Sequence, residues 1–137
     1  MSKLLQRLQD PARSGVYRAR RSDEIVDATR GSALNVTRIV LPDGASPLPS
    51  IAGALAFPDW FGQNWDALED CLSDLSWREA AGYVLMFENA VAGDDLGILT
   101  DVLAASAEFW KARGKPFFAV FIDPRRALTL PELFREG

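Results

Sequence analysis

Histidine is absent from this chain of 137 residues, and cysteine occurs once, as Cys71. Without them there can be no serine–histidine or cysteine–histidine triad, no histidine-ligated metal, no zinc site of several thiolates and no intrachain disulfide. A lone thiol suits a reducing compartment. The opening residues, MSKLLQRLQDPARSG, are charged and lack the apolar run of roughly 7–15 residues that a signal peptide needs. Neither a signal peptide nor a membrane span is expected, and the cytoplasm is the expected location. Also missing are G-x-G-x-x-G and G-x-x-x-x-G-K-[ST], so no nucleotide cradle is indicated and no cofactor is expected.

Basic charge is nearly absent from one long stretch. The formal net charge is −4, but residues 1–38 carry eight basic and four acidic side chains, and residues 111–137 carry six basic and three acidic. Between them, residues 39–110 carry twelve carboxylates and one cation, Arg78. A stretch this acidic is poorly suited to gripping a phosphate backbone, so no direct nucleic-acid contact is expected. A basic protein partner is the more natural complement, although many acidic domains are merely soluble. Arg18, Arg20 and Arg21 form either a solvated face or a contact with the acidic middle.

The length suits one domain, and 48% apolar residues suffice for a core. Leu4, Leu5 and Leu8 suggest a short helix that stops at Asp10-Pro11. A short strand at Val16–Ala19 follows, then a helix opened by Ser22-Asp23-Glu24 and closed by Gly31. The β-branched run Asn35–Leu41 reads as a strand bounded by the turn Pro42-Asp43-Gly44. Between Ser46 and Ala56, prolines at the start and Leu48, Ile51 and Leu55 at helical spacing predict another helix. The apolar runs at 82–87 and 116–122 read as strands covered on both faces, and 94–113 between them as the longest helix, stopped by Gly114. The tail through Leu128 to Phe134 reads as a short docking segment or a partly loose end. Strands alternating with helices predict an α/β fold, a small, mainly parallel sheet of three to four strands packed with helices. Residues 1–34 are expected to be an N-terminal extension of a short helix, strand and helix, packed on the same domain as residues 35–137.

The segment Phe57–Trp77 carries five acidic side chains and no basic one. With Asn64 as N-cap, a helix running to Leu75 places Trp65, Leu68, Leu72 and Leu75 on its core stripe. Asp66, Asp70 and Asp74 then recur every four residues on another face, beside Glu69 and Ser73. Such carboxylates repel one another by a few tenths of a kcal/mol per pair. The helix dipole favours Asp66 but not Asp74. Trp60 and Phe61 precede this helix and Trp77 follows it, residue types that dominate binding when they lie in a desolvated patch and that otherwise serve as core. Asp66 and Asp70 could in principle hold Mg²⁺ or act as acid and base, but glycosidase-like chemistry needs two carboxylates across a cleft, not neighbours on one helix. No enzyme is expected.

The run Phe57-Pro58-Asp59-Trp60-Phe61-Gly62-Gln63-Asn64-Trp65-Asp66-Ala67-Leu68-Glu69-Asp70-Cys71-Leu72 resembles the barstar family signature. There, a proline, an acidic residue, two aromatics and a glycine lead into asparagine and Asp-Ala-Leu-x-Asp-Cys-Leu. More weakly, the resemblance extends over residues 35–122. It implies a barstar-like fold and an immunity protein that inhibits a basic, barnase-like ribonuclease by plugging its active site. By the same resemblance Asp70 would enter the enzyme's phosphate pocket, Asp66 and Asn64 would lie in the interface, and Trp60 would pack on the catalytic histidine. Ser73 and Trp77 would continue the contact surface, with Glu69 and Asp74 adding charge to it. Glu69 stands where the family has tryptophan, and Lys115 about where it has a second cysteine. An acidic interaction module for a different basic protein is the other reading.

Overall fold

The computed structural model describes residues 2–59 and 61–134. Four strands, β1 (Gly15–Ala19), β2 (Leu34–Val40), β3 (Gly82–Glu88) and β4 (Phe117–Ile122), form one sheet in the order β1-β4-β3-β2. Every pairing is parallel. Five α-helices accompany them: α1 (Lys3–Leu8), α2 (Ser22–Thr29), α3 (Leu48–Ala54), α4 (Trp65–Leu72) and α5 (Asp94–Lys111). The expected α/β architecture is therefore present, with four strands.

Both faces of the sheet are covered, which explains why β3 and β4 are apolar at nearly every position. Side chains alternate between faces. Tyr83, Leu85, Phe87, Phe117, Ala119 and Phe121 point into the larger core, where they meet Ile51 of α3, Leu68 and Leu72 of α4 and Leu99, Leu103 and Trp110 of α5. Val84, Met86, Phe118 and Val120 point the other way, against Leu8 of α1, Ile25 of α2 and Leu133 of the tail. Gly82 lets β3 begin against its neighbours: a Cβ there would lie 2.5 Å from Cγ of Pro116 and 2.9 Å from Cδ2 of Leu34.

β1 is an edge strand beside the last strand, in the register Gly15 to Phe118 through Ala19 to Ile122. Its outer side is paired too. The Arg18 amide donates to the Pro131 carbonyl at 2.8 Å, and the Leu133 amide donates to the Arg18 carbonyl at 2.9 Å. The Arg18 guanidinium donates to the Leu130 carbonyl at 2.8 Å and pairs with Glu132 at 3.2 Å. Buried Asp123 fixes the turn into this segment by accepting from the amides of Ala127 and Leu128. Of the two readings of the tail, docking holds through Phe134. Arg18 is thus engaged by the tail, and Arg21 by Asp23, neither by the acidic middle.

The helix predicted to run to Leu75 stops at Leu72, with Ser73 as its C-cap. Amides of Asp74 and Leu75 both reach the Cys71 carbonyl, and Leu75 takes a left-handed conformation with φ 51°. That turn leads into a 3-10 turn at Ser76–Arg78 while keeping Leu75 buried. Asp74 lies beyond the helix, so the carboxylate row on α4 has two members, Asp66 and Asp70, flanked by Glu69. Ending there also takes Asp74 off the last turn, where the helix dipole would oppose a negative charge.

Candidate functional site

α4 is short and two-sided. Leu68, Cys71 and Leu72 are buried, and Trp65 is half-buried beside them. On the other side Asp66, Glu69 and Asp70 are exposed, as are Asn64 before the helix and Asp74 after it. Ser73 is half-buried. Among the described residues none of these four carboxylates has an ion-pair or hydrogen-bond partner. Arg78, the lone cation of the acidic stretch, turns instead toward β2, with contacts of 3.4 Å to Asn35 Oδ1 and 3.5 Å to Thr37 Oγ1.

Local chemistry sets the helix start. Asn64 has extended backbone angles and its Oδ1 accepts from the Ala67 amide at 2.7 Å, an N-cap bond. Its Nδ2 donates to the Gly62 carbonyl at 3.3 Å, tying the preceding loop to the cap. Asn64 thereby holds the first turn while Asp66, within that turn, meets the positive end of the helix dipole. At the other end the Trp110 indole N–H of α5 donates to the Leu72 carbonyl at 2.7 Å. The acidic face is carried on a helix anchored at both ends.

The loop from α3 to α4 is fastened by aromatics. Phe57 meets Phe61 edge-on, with centroids 4.9 Å apart, and meets Trp77 edge-on at 5.9 Å. Trp77 is half-buried, and its indole N–H donates to the Leu55 carbonyl at 3.0 Å. Trp77, expected on the contact surface, thus also bonds across 22 residues, a pairing that its spacing does not signal. Trp60 lies outside the described residues.

Cys71 sits beneath the acidic face. Burial pushes its thiol pKa up, and the neighbouring negative charges of Asp70 and Asp74 push it the same way. Such a thiol is a packing group, not a nucleophile. A cavity of about 560 Å³ opens elsewhere, at the carboxyl ends of β2 and β3, lined by residues such as Leu41, Pro47, Asn89 and Leu99 and by none from α4. Among the described residues no group of three or more cysteine, aspartate or glutamate side chains is placed to hold a metal ion. No helix among them is long and apolar enough to cross a membrane.

The family model for barstar, described as barnase inhibitor, matches residues 36–122. That span runs from β2 to the end of β4 and contains α4 and the loop before it; α1, β1, α2 and the clasping tail lie outside. No curated protein and no solved structure matches the chain. With more than half of its length matched, on the element order described above, the chain belongs to the barstar family.

Proposed function

We propose that this chain is a cytoplasmic inhibitor of a basic, barnase-like ribonuclease and that it blocks the enzyme's active site with the acidic face of α4. The observation that carries this reading is the unpaired set Asp66, Glu69, Asp70 and Asp74 in the segment the family model spans. Carboxylates held without internal cations offer oxygens where such an enzyme expects RNA phosphate, and charge-assisted bonds form on arrival. Trp60, Asn64 and Ser73 complete the contact surface in this reading, and Trp77 borders it. The inhibitor performs no chemistry itself.

The test is binding to catalytically inactive barnase, measured for the parent and for Asp70→Ala. Truncating one side of a desolvated charge pair leaves the partner's cations buried and unpaired, so affinity is expected to fall by roughly a hundredfold or more. Equal affinity in the variant removes Asp70 from the site. Failure of the parent to bind at low salt, with capture of another basic protein, favours the interaction-module reading instead.

A further inference from the structure

The aromatic cluster beside α4 joins segments from both sides of that helix. Leu55 and Phe57 precede α4, Trp77 follows it, and the Trp77 indole bonds the first and packs on the second. In the described part of the loop between α3 and α4, Phe61 is buried in the larger core and Phe57 packs beside it. Ala56 and Gln63, at its two ends, take left-handed conformations with φ of 53° and 54°, which side-chain-bearing residues adopt only at a cost. Within it the Phe57 amide donates to the Ala52 carbonyl at 2.9 Å and the Phe61 amide to the Pro58 carbonyl at 3.0 Å. Gly62 passes so close to the helix cap that a Cβ would lie 3.2 Å from Asn64 Nδ2.

We infer that Trp77 is a positioning residue for partner recognition: through Leu55 and Phe57 it holds residues 56–59 and 61–63 in register with the acidic helix. This rests on the reading of α4 and that loop as the binding surface. The physical reason is preorganisation. A partner that needs the ordered loop sees only the fraction of molecules in which it is ordered, and its apparent affinity falls with that fraction.

Two variants of the full chain separate the parts of the brace: Trp77→Phe removes the indole donor, and Phe57→Leu removes the ring between Trp77 and Phe61. Val120→Ala, buried on the opposite face of the sheet, is the control for lost global stability. Amide hydrogen exchange is read in the free protein and association kinetics with catalytically inactive barnase. Both brace variants are expected to speed exchange at Phe57 and Phe61 by roughly tenfold, leave Met86 and Phe118 unchanged, and slow association by a similar factor. The control should neither speed exchange at Phe57 and Phe61 nor slow association. Unchanged exchange at Phe57 and Phe61 overturns the inference whatever binding does. Faster exchange with unchanged association overturns it too, because the loop would then not matter to the partner. If the parent does not bind barnase at all, the functional reading falls and recognition falls with it, while exchange still reports whether Trp77 orders the loop.

Discussion

The Trp110 indole N–H and the Leu72 carbonyl, 2.7 Å apart, lock the last turn of the acidic helix to the long helix beside it. Both residues are buried, so neither group has water as a substitute. Trp110→Phe leaves the Leu72 carbonyl without its donor and is expected to cost about 1–3 kcal/mol. Urea unfolding checks this: the midpoint should drop with the slope unchanged, and an unmoved midpoint would show that the bond contributes nothing.

Two glycines should respond to alanine in opposite directions. Gly82→Ala forces a methyl against Pro116 and Leu34, and overpacking of this kind costs about 1–3 kcal/mol. Gly97 lies inside α5 with nothing within 4 Å of a would-be Cβ. Gly97→Ala is expected to stabilise by about 0.5–1 kcal/mol through helix propensity. Thermal unfolding of the pair, each against the parent, reads both signs at once.

Cys71 should be inert while the protein is folded. A buried thiol with a raised pKa gives little thiolate, so alkylation at mild alkaline pH is expected to track unfolding and to become fast only in denaturant. The pH dependence has a definite sign. The folded state holds the proton more tightly than the unfolded chain, so the contribution of Cys71 to stability is whole below the ordinary thiol pKa near ~8.5 and declines as pH rises above it. Cys71→Ala should flatten that decline in urea titrations.

Removing residues 1–33 takes away α1, β1 and α2 and uncovers Val84, Met86, Phe118 and Val120. Each fully buried apolar side chain of this size contributes about 1.5–3 kcal/mol relative to exposure, and such losses exceed the usual margin of a small domain. The truncated chain is expected to aggregate or remain unfolded, as judged by gel filtration and near-ultraviolet circular dichroism. A soluble, cooperatively folded product would show that the sheet's second face can stand uncovered.

Association with catalytically inactive barnase should slow steeply with salt. Asp66, Glu69, Asp70 and Asp74 are exposed and unpaired, so their field reaches a basic partner before contact and is screened beyond about 8 Å at physiological ionic strength. Stopped-flow rates across a salt series test this, and a flat series would separate the acidic face from the encounter.

Much of the fold was legible because β3 and β4 are unbroken apolar runs and α5 repeats its leucines at helical spacing. The acidic surface could be read for a related reason: the lack of any cation from Phe57 to Trp77 in sequence goes with a lack of partners among the described residues. What sequence hid was decided by backbone conformation and distant contacts. Leu75 keeps helical spacing from Leu72 and Leu68 yet reaches the core through a left-handed turn, so the helix looked one turn longer than it is. The Trp77 bond to Leu55 spans 22 residues and follows no local spacing rule. Arg18 could not be paired with Glu132 by any local rule, since more than a hundred residues separate them.

The place of β1 sets an order on synthesis. Residues 15–19 leave the ribosome well before their strand neighbour, β4 at residues 117–122, and before residues 131–133, on which their outer edge closes. β1 must therefore wait for β4. Because non-local parallel pairing is slow, the nascent chain carries its uncovered sheet face until β4 has emerged. Only chains translated past Leu133 can close that outer edge, so a chain stopped between β4 and the tail would keep β1 paired on one side alone.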